Sequence, residues 1–434
     1  MFKIPTFEKI QKEITIPADK SISHRALIIG SLVKGKIRIK NFLISKDTLA
    51  TLECLKKVGV NIKLYKNREM LIQADGMFFK RKKEVYLNAH ESGTTIRILS
   101  GVLVGQKFPV FFDAEKTLRN RPMKRITQPL RLMKAKIEGR RKNDEEYPPL
   151  RIQPAKLVGI KYDLPVASAQ VKSAIILASL FAKGTTRIKE KEISRDHTER
   201  MLSFFQAKIK KRGRYIFIEK GQLKNPKELF IPADISSASF FIALATLLEN
   251  SEITIKDVSI NPTRLGFINI LKRMGAKIKI INKKRYFEPY ADIVVKSSPL
   301  KGVKVKKEEI PLMIDEVPLL FVCAAYASGK TEVEGLKELK VKETDRIHSM
   351  VYNLKKTGVN IEAFPDIQKE DWKVKIEGIK KMESTCFKSF SDHRTAMSLI
   401  IFGIASGKEF FIDDIQCINK SFPEFISLIN SLKS

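Results

Sequence analysis

The chain is short of cysteine, of acid and of long apolar runs, and each shortage removes a class of protein from consideration. Its 434 residues include 4 cysteines, Cys54, Cys323, Cys386 and Cys417, none of them in a CxxC pair. That argues against a disulfide framework or a zinc ribbon, and the apolar surroundings of Cys54 and Cys323 mark them as reduced packing residues. No apolar run approaches the roughly 18 residues that a membrane-crossing helix needs. The opening MFKIPTFEKIQKEITIP has no apolar core and is not rich in Arg and Ser, so neither a secretory nor a transit peptide is expected and a cytoplasmic location is. Acidic residues number 48 against 81 basic ones, a formal charge of +33. A surface for nucleic acid is one reading of such a charge. The lysines, however, are scattered, far outnumber the arginines, and have few aromatics between them to form a stacking platform. Compositional drift toward lysine accounts for the excess. No low-complexity linker interrupts the chain.

What is present is ordered. A hydrophobic content of 43% and a charged content of 30% suit a soluble globular protein, and the length suits two or more domains. One helix-like pattern recurs at Ser21 (SISHRALIIGSLV), Ser92 (SGTTIRILSGVLV), Ser168 (SAQVKSAIILASL), Ser236 (SSASFFIALATLL), Asp315 (DEVPLLFVCAAYA) and Ser391 (SDHRTAMSLIIFG). Each copy opens with a good N-cap residue and is then apolar almost all round, as a buried helix is. The copies begin about 75 residues apart, which predicts one supersecondary unit used six times.

A period-two strand follows each copy: KIRIKN (36–41), KFPVFF (107–112), TTRIKE (185–190), EITIKD (252–257), KTEVEG (330–335) and KEFFID (408–413). Amphipathic helices come next, clearest in TLATLECLKKVGV, PTRLGFINILKRMGA and RIHSMVYNLKKTGV, where Gly marks the stop. The unit is strand–helix–strand–helix with an extra strand, an α/β class. The near-copies IPADKSIS (16–23) and IPADISSA (231–238) divide the chain into halves of three units. Two domains are expected, 1–19 plus 234–434 and 20–233, with hinge crossovers near 17–20 and 232–235.

The starts of buried helices combine free N–H groups with the positive end of the helix dipole, so they suit anions. Here they are also cationic: Asp19-Lys20-Ser21 with Arg25, Gly93-Thr94 with Arg97, Arg119 with Arg121, Ser168 with Gln170 and Lys172, Arg195, Lys342-Glu343-Thr344-Asp345-Arg346, and Asp392-His393-Arg394. Gathered on one face they make a cleft for a substrate pair bearing phosphates and carboxylates, which Arg grips with a bidentate fork. A carboxylate among such cations stays ionised and can act as a base, with Lys as its acid.

The motifs PADKSISHRA, SGTTIRIL, LRNRPM, ASAQVKSA, SRDHTERML, PADISSASFF, VKETDRI, SDHRTAM and INKSFPEF resemble those of the 5-enolpyruvylshikimate-3-phosphate synthase family, from about residue 12 to about residue 428. The resemblance implies the inside-out α/β barrel fold of the enolpyruvyl transferases, with three βαβαββ units in each of two domains that close on substrate. It implies transfer of the enolpyruvyl group of phosphoenolpyruvate to the 5-hydroxyl of shikimate-3-phosphate, with no metal and no organic cofactor. From the sequence itself no membrane and no specific nucleic-acid partner are expected, and a monomer is the default because no oligomer interface stands out. The resemblance further implies that Lys20, Ser21, Arg25, Ser168, Gln170, Arg195, Asp315 and Lys342 hold shikimate-3-phosphate, and that Lys20, Gly93, Arg121, Gln170, Arg346, Arg394 and Lys420 hold phosphoenolpyruvate. Asp315, Glu343, Lys20 and Lys342 would be catalytic.

The chain departs from the family pattern at Ala18 and Ala233, where Gly is usual, and at Glu91 and Glu338, where Asn is common. His90 has no role in the pattern. SAQVK, RDHTE and NPTR are similar to the glyphosate-tolerant subgroup. The related transferase that acts on UDP-N-acetylglucosamine carries a Cys in a Gly-rich loop before its Arg-Pro; the matching DAEKTLRNRP has neither. A nucleic-acid-binding protein on the same fold is the alternative from another class.

Overall fold

The structure, a computed structural model, describes residues 1–379 and 381–433. The chain divides into two compact units, Ala18–Ile231 and Met1–Pro17 with Pro232–Ser434. It passes from one to the other inside the two IPAD near-copies.

The Ala18–Ile231 unit contains α1 (Lys20–Gly30), α2 (Lys46–Lys57), α3 (Gly93–Leu103), α4 (Lys124–Leu132), α5 (Ala169–Ser179) and α6 (His197–Phe204). The three copies of the apolar pattern are α1, α3 and α5, and they pack on one another at the centre. Residues 22–30 of α1 and 171–179 of α5 are all buried. A side-chain surface that is apolar on every side is stable only when surrounded. At Gly101 a Cβ would lie 2.2 Å from the Ala174 carbonyl oxygen, so glycine is what lets α3 and α5 touch. Helix α2 instead shows Glu53, Lys56 and Lys57 to solvent.

Around these helices lie three four-stranded sheets of one design. In the second, Val85–Asn88 runs parallel to Val110–Asp113 with Leu87 opposite Phe112, and Glu145–Gln153 and Lys136–Lys142 add an antiparallel hairpin. Helix α3 is the crossover that the parallel pair requires. In the first sheet the parallel partner of Lys34–Lys40 is Glu228–Phe230, from the far end of the unit.

The other unit contains α7 (Ile235–Leu247), α8 (Gly266–Arg273), α9 (Val317–Ala325), α10 (Arg346–Lys355), α11 (His393–Ala405) and α12 (Phe425–Ser431). Here α7, α9 and α11 form the packed centre. Two of its sheets repeat the same strand order, and the third is a shorter three-stranded version made from Phe2–Lys3, Phe411–Ile412 and Cys386–Phe387. The N-terminal Gln11–Ile14 pairs in parallel with Glu252–Ser259. Buried phenylalanines weld the core: Phe387 stacks on Phe410 at 5.0 Å, and Phe241 meets Phe425 at 5.9 Å. Each such side chain contributes about 1.5–3 kcal/mol by burial. Buried helices with small sheets packed around them recur in both units, the α/β arrangement that the repeated pattern predicts.

The caps differ in part from the sequence reading. Ser92 and Ser168 do cap α3 and α5, each accepting a bond from a backbone N–H three residues on. At the other four starts an acid stands at the cap position: Asp19 for α1, Asp234 for α7, Glu316 for α9 and Asp392 for α11. Asp19, Asp234 and Asp392 accept backbone N–H bonds with their carboxylates, which are stronger than a hydroxyl's because the acceptor is charged. Ser391 is excluded by its own backbone, which lies at φ 55. Burial pushes the thiols of Cys54 and Cys417 up to about 12, so they remain inert thiols.

Candidate active site

Side-chain bonds tie together the starts of the three buried helices in Ala18–Ile231. His24 Nδ1 meets Thr51 Oγ1 at 2.7 Å, Thr51 meets Thr95 Oγ1 at 2.7 Å, and Thr95 donates to Ser92 Oγ at 2.7 Å. This chain of hydroxyls joins α1, α2 and α3. Burial first, then Lys20 and Arg25, hold the His24 pKa well below the ordinary histidine value, so the ring is neutral. Helices α3 and α5 meet through Arg97, whose Nη1 donates to Gln170 Oε1 at 2.9 Å, while Gln170 Nε2 donates to Thr94 Oγ1 at 3.2 Å. Arg25 is buried and joins α1, α5 and α6: its Nε donates to Thr198 Oγ1 at 2.7 Å, its Nη2 to Ser173 Oγ at 2.9 Å, and its Nη1 to the Ser21 carbonyl at 2.9 Å.

The expected residues Lys20, Ser21, Arg25, Gly93, Ser168 and Gln170 therefore sit on linked helix starts. Arg121 joins them, since a Cβ on Gly93 would lie 3.2 Å from its Nη1 and 3.3 Å from that of Arg97. Arg195 is half-buried in the segment before α6. Lys20 reaches Asp47 at 3.0 Å. Two cations of the sequence reading have other work. Arg119 pairs with Asp113 at 2.6 Å, and Lys172 is wholly buried against Glu190 and Glu199.

The odd residues His90 and Glu91 fasten the loop that precedes α3. His90, at φ 48, faces Glu115 at 2.9 Å and Glu53 at 3.1 Å with its two ring nitrogens. Glu91 accepts from Thr117 N at 3.1 Å and from the Thr117 hydroxyl. It thereby braces the short turn Lys116–Asn120 that leads into Arg121.

The second cluster lies in the other unit and centres on Arg346. This guanidinium is buried, and it donates from Nε to Asp392 at 3.0 Å, from Nη2 to Glu343 at 2.7 Å and from Nη1 to Asp315 at 3.5 Å. Burial works against its charge, but Asp392, Glu343 and Asp315 outweigh burial and raise its pKa further. One arginine thus gathers the starts of α9, α10 and α11, and Ser349 bonds Thr395 at 3.0 Å alongside. Lys342 stands next to these acids. Desolvation lowers its pKa to about 8, against the upward pull of Asp315, Glu338 and Glu343 and with help from Arg346. A lysine near pH 8 can give and take a proton in water at neutral pH.

Arg394, at the start of α11, is buried, and its guanidinium lies 5.9 Å from the centre of the Phe240 ring. Its Nε has no hydrogen-bond partner among the described residues. Lys420 is half-buried at the end of the turn Gln416–Lys420. Ser236 takes another course: it donates to Glu316, accepts from Arg264, and belongs to a buried knot that includes Asp234 at 3.8 Å from Arg264. Asp47, Ser173 and the pairing role of Asp392 escape a reading of the sequence, because their partners lie 27, 148 and 46 residues away.

A family model for EPSP synthase (3-phosphoshikimate 1-carboxyvinyltransferase) matches residues 4–429. The 3-phosphoshikimate 1-carboxyvinyltransferase of Petrotoga mobilis is 47% identical over 432 residues, which span 98% of each chain. Among solved structures, EPSP synthase from Acinetobacter baumannii superposes with a TM-score of 0.87 at 40% identity, covering 100% of this chain and 98% of that one. The enolpyruvyl transferase NikO from Streptomyces tendae shares the fold, with a TM-score of 0.77 at 14% identity over 99% of this chain and 97% of its own.

Proposed function

The chain belongs to the EPSP synthase family, and from that premise we propose that it transfers the enolpyruvyl group of phosphoenolpyruvate to the 5-hydroxyl of shikimate-3-phosphate. The substrates together bring roughly five negative charges, a phosphate carrying about −1.5 to −2, so the reaction needs many cations. In this reading Lys20, Ser21, Arg25, Ser168, Gln170 and Arg195 hold shikimate-3-phosphate, with Asp315 and Lys342 at its hydroxyl. Lys20, Gly93, Arg121, Gln170, Arg346, Arg394 and Lys420 hold phosphoenolpyruvate.

Asp315 takes the 5-hydroxyl proton as the oxygen attacks C2 of phosphoenolpyruvate. Lys20 or Glu343 delivers a proton to the methylene carbon, which completes a tetrahedral intermediate. Loss of a proton from that methyl group then expels phosphate and restores the double bond. Arg and Lys stabilise the charge that develops on the leaving phosphate.

The observation that carries the chemistry is the Arg346 cluster. Three carboxylates share one buried guanidinium next to a lysine whose pKa lies at about 8. Arg394 supports the anion site, because a buried guanidinium with donor capacity to spare is costly without an acceptor. None of the helices, among the described residues, is long and apolar enough to cross a membrane. We place the enzyme in the cytoplasm as a monomer of two domains, joined at the IPAD crossovers. The similarity to the glyphosate-tolerant subgroup extends the proposal to weak inhibition by glyphosate; strong inhibition at low micromolar concentration would remove that extension.

The deciding assay is phosphate release. It should appear only when phosphoenolpyruvate and shikimate-3-phosphate are both present. Release from phosphoenolpyruvate alone, or none with the pair, would overturn the reading.

A further inference from the structure

A fully buried lysine is expensive unless its charge is matched, and breaking such a pair leaves an uncompensated buried charge. Lys172 is such a residue, on the second turn of α5, with no side-chain exposure. Its Nζ lies 2.8 Å from Glu190 Oε1 and 2.7 Å from Glu199 Oε1, and it donates to the Ser194 carbonyl at 3.2 Å. Glu190 is equally buried, and Lys211 approaches its other oxygen at 3.7 Å from the surface. Glu190 Oε1 also accepts from Ser194 N at 3.1 Å and from Ser194 Oγ at 2.8 Å. The ion pair therefore holds Ser194 by its amide, its hydroxyl and its carbonyl together. Burial opposes the charge of Lys172, but Glu199 and Glu190 outweigh burial and keep the lysine protonated.

What is held is informative. Ser194 directly precedes Arg195. Glu199 lies on α6, one residue after Thr198, whose hydroxyl accepts from Arg25 Nε and bonds Ser173 Oγ at 2.7 Å. Ser173 is the chain neighbour of Lys172 and accepts from Arg25 Nη2 at 2.9 Å. One buried ammonium thus fixes both the segment that carries Arg195 and the helix that orients Arg25. We propose that Lys172, with Glu190 and Glu199, is a positioning residue that sets the two arginines for the phosphate of shikimate-3-phosphate without touching it. This inference rests on the reading of Arg25 and Arg195 given above.

Calorimetric titration with shikimate-3-phosphate, run beside steady-state kinetics, tests it. Lys172→Met should weaken shikimate-3-phosphate binding by at least about tenfold, by analogy with supporting partners of binding groups. The KM for that substrate should rise alike, with kcat falling by less. Lys172→Arg, which keeps the charge, should recover part of the loss. Arg131→Met, which breaks the Arg131–Glu146 pair elsewhere in the unit, should lower Tm and leave the affinity alone. If Lys172→Met does not fold, Glu190→Gln, which leaves Glu199 to pair the lysine, should show the same loss. Unchanged affinity in a folded variant with reduced Tm would make Lys172 a stabilising residue only and overturn the inference. If the wild-type protein itself fails to bind shikimate-3-phosphate, the functional reading falls and takes the inference with it.

Discussion

In the Ala18–Ile231 unit, Arg25 and Arg97 donate to Thr198, Ser173 and Gln170; in the other unit, Arg346 donates to Asp392, Glu343 and Asp315. The scaffolds are alike, with three buried helices whose polar starts are stitched together, yet the stitching differs in charge. A hydroxyl or amide acceptor orients a guanidinium without cancelling its charge, which suits the holding of an anion. Carboxylate acceptors cancel charge and couple protonation states, which suits the moving of protons. Among the expected site residues of the first unit, Lys20 has a carboxylate partner, Asp47, and in that respect resembles Arg346. In the function proposed above, the same repeat serves binding in one unit and acid–base work in the other.

The sharpest way to break this contrast is to remove the proposed base. Asp315→Ala should lower kcat by about a thousandfold or more, within the range of general acid–base catalysis, with an unchanged circular dichroism spectrum. A loss below tenfold would deny the acid–base role to the Arg346 cluster.

Lys342→Met should cost a hundredfold or more in kcat and yet raise Tm. The sign follows from linkage. The folded pKa of about 8 lies below the ordinary 10.5, so the folded state disfavours the ammonium. That penalty is fully present below pH 8 and fades as pH rises toward 10.5. Removing the charge at pH 7 should then stabilise by on the order of 1–3 kcal/mol. In the wild type, kcat/KM should fall as pH rises through about 8 if the ammonium is the working form. A flat profile to pH 9.5, or a lower Tm in the variant, would contradict this.

A milder change sharpens the binding side. In Gly93→Ala the new methyl group would stand 3.2 Å and 3.3 Å from the Arg121 and Arg97 guanidiniums. These are flexible ends that can yield, so the KM for phosphoenolpyruvate should rise only severalfold, with Tm nearly constant.

The repeat was legible in the sequence because buried helices and half-buried strands differ in period, and because α7, α9 and α11 are apolar on every side. The motif residues were legible because they are close in number: VKETDRI carries Lys342, Glu343 and Arg346 within five residues, just before and at the start of α10. The caps were less so. Ser21, Ser236 and Ser391 have the right chemistry, but an acid next to or near each takes the cap position, and backbone angles decide between them. Lys172 looked like another site cation; only its distant neighbours Glu190 and Glu199 reveal a buried strut. Pairings such as Lys20 with Asp47, or Arg25 with Ser173, depend on which helices the fold brings together, and no local pattern encodes them.

The division between holding and proton transfer meets its most direct test in one calorimetric comparison, with shikimate-3-phosphate titrated into Arg25→Gln and into Asp315→Asn. Loss of a charged hydrogen-bonding group costs about 1.5–3 kcal/mol, so Arg25→Gln should weaken binding by roughly ten- to a hundredfold. Asp315→Asn should bind within a few-fold of the wild type while its turnover collapses. Equal losses of affinity in the two variants, or the larger loss in Asp315→Asn, would contradict the division.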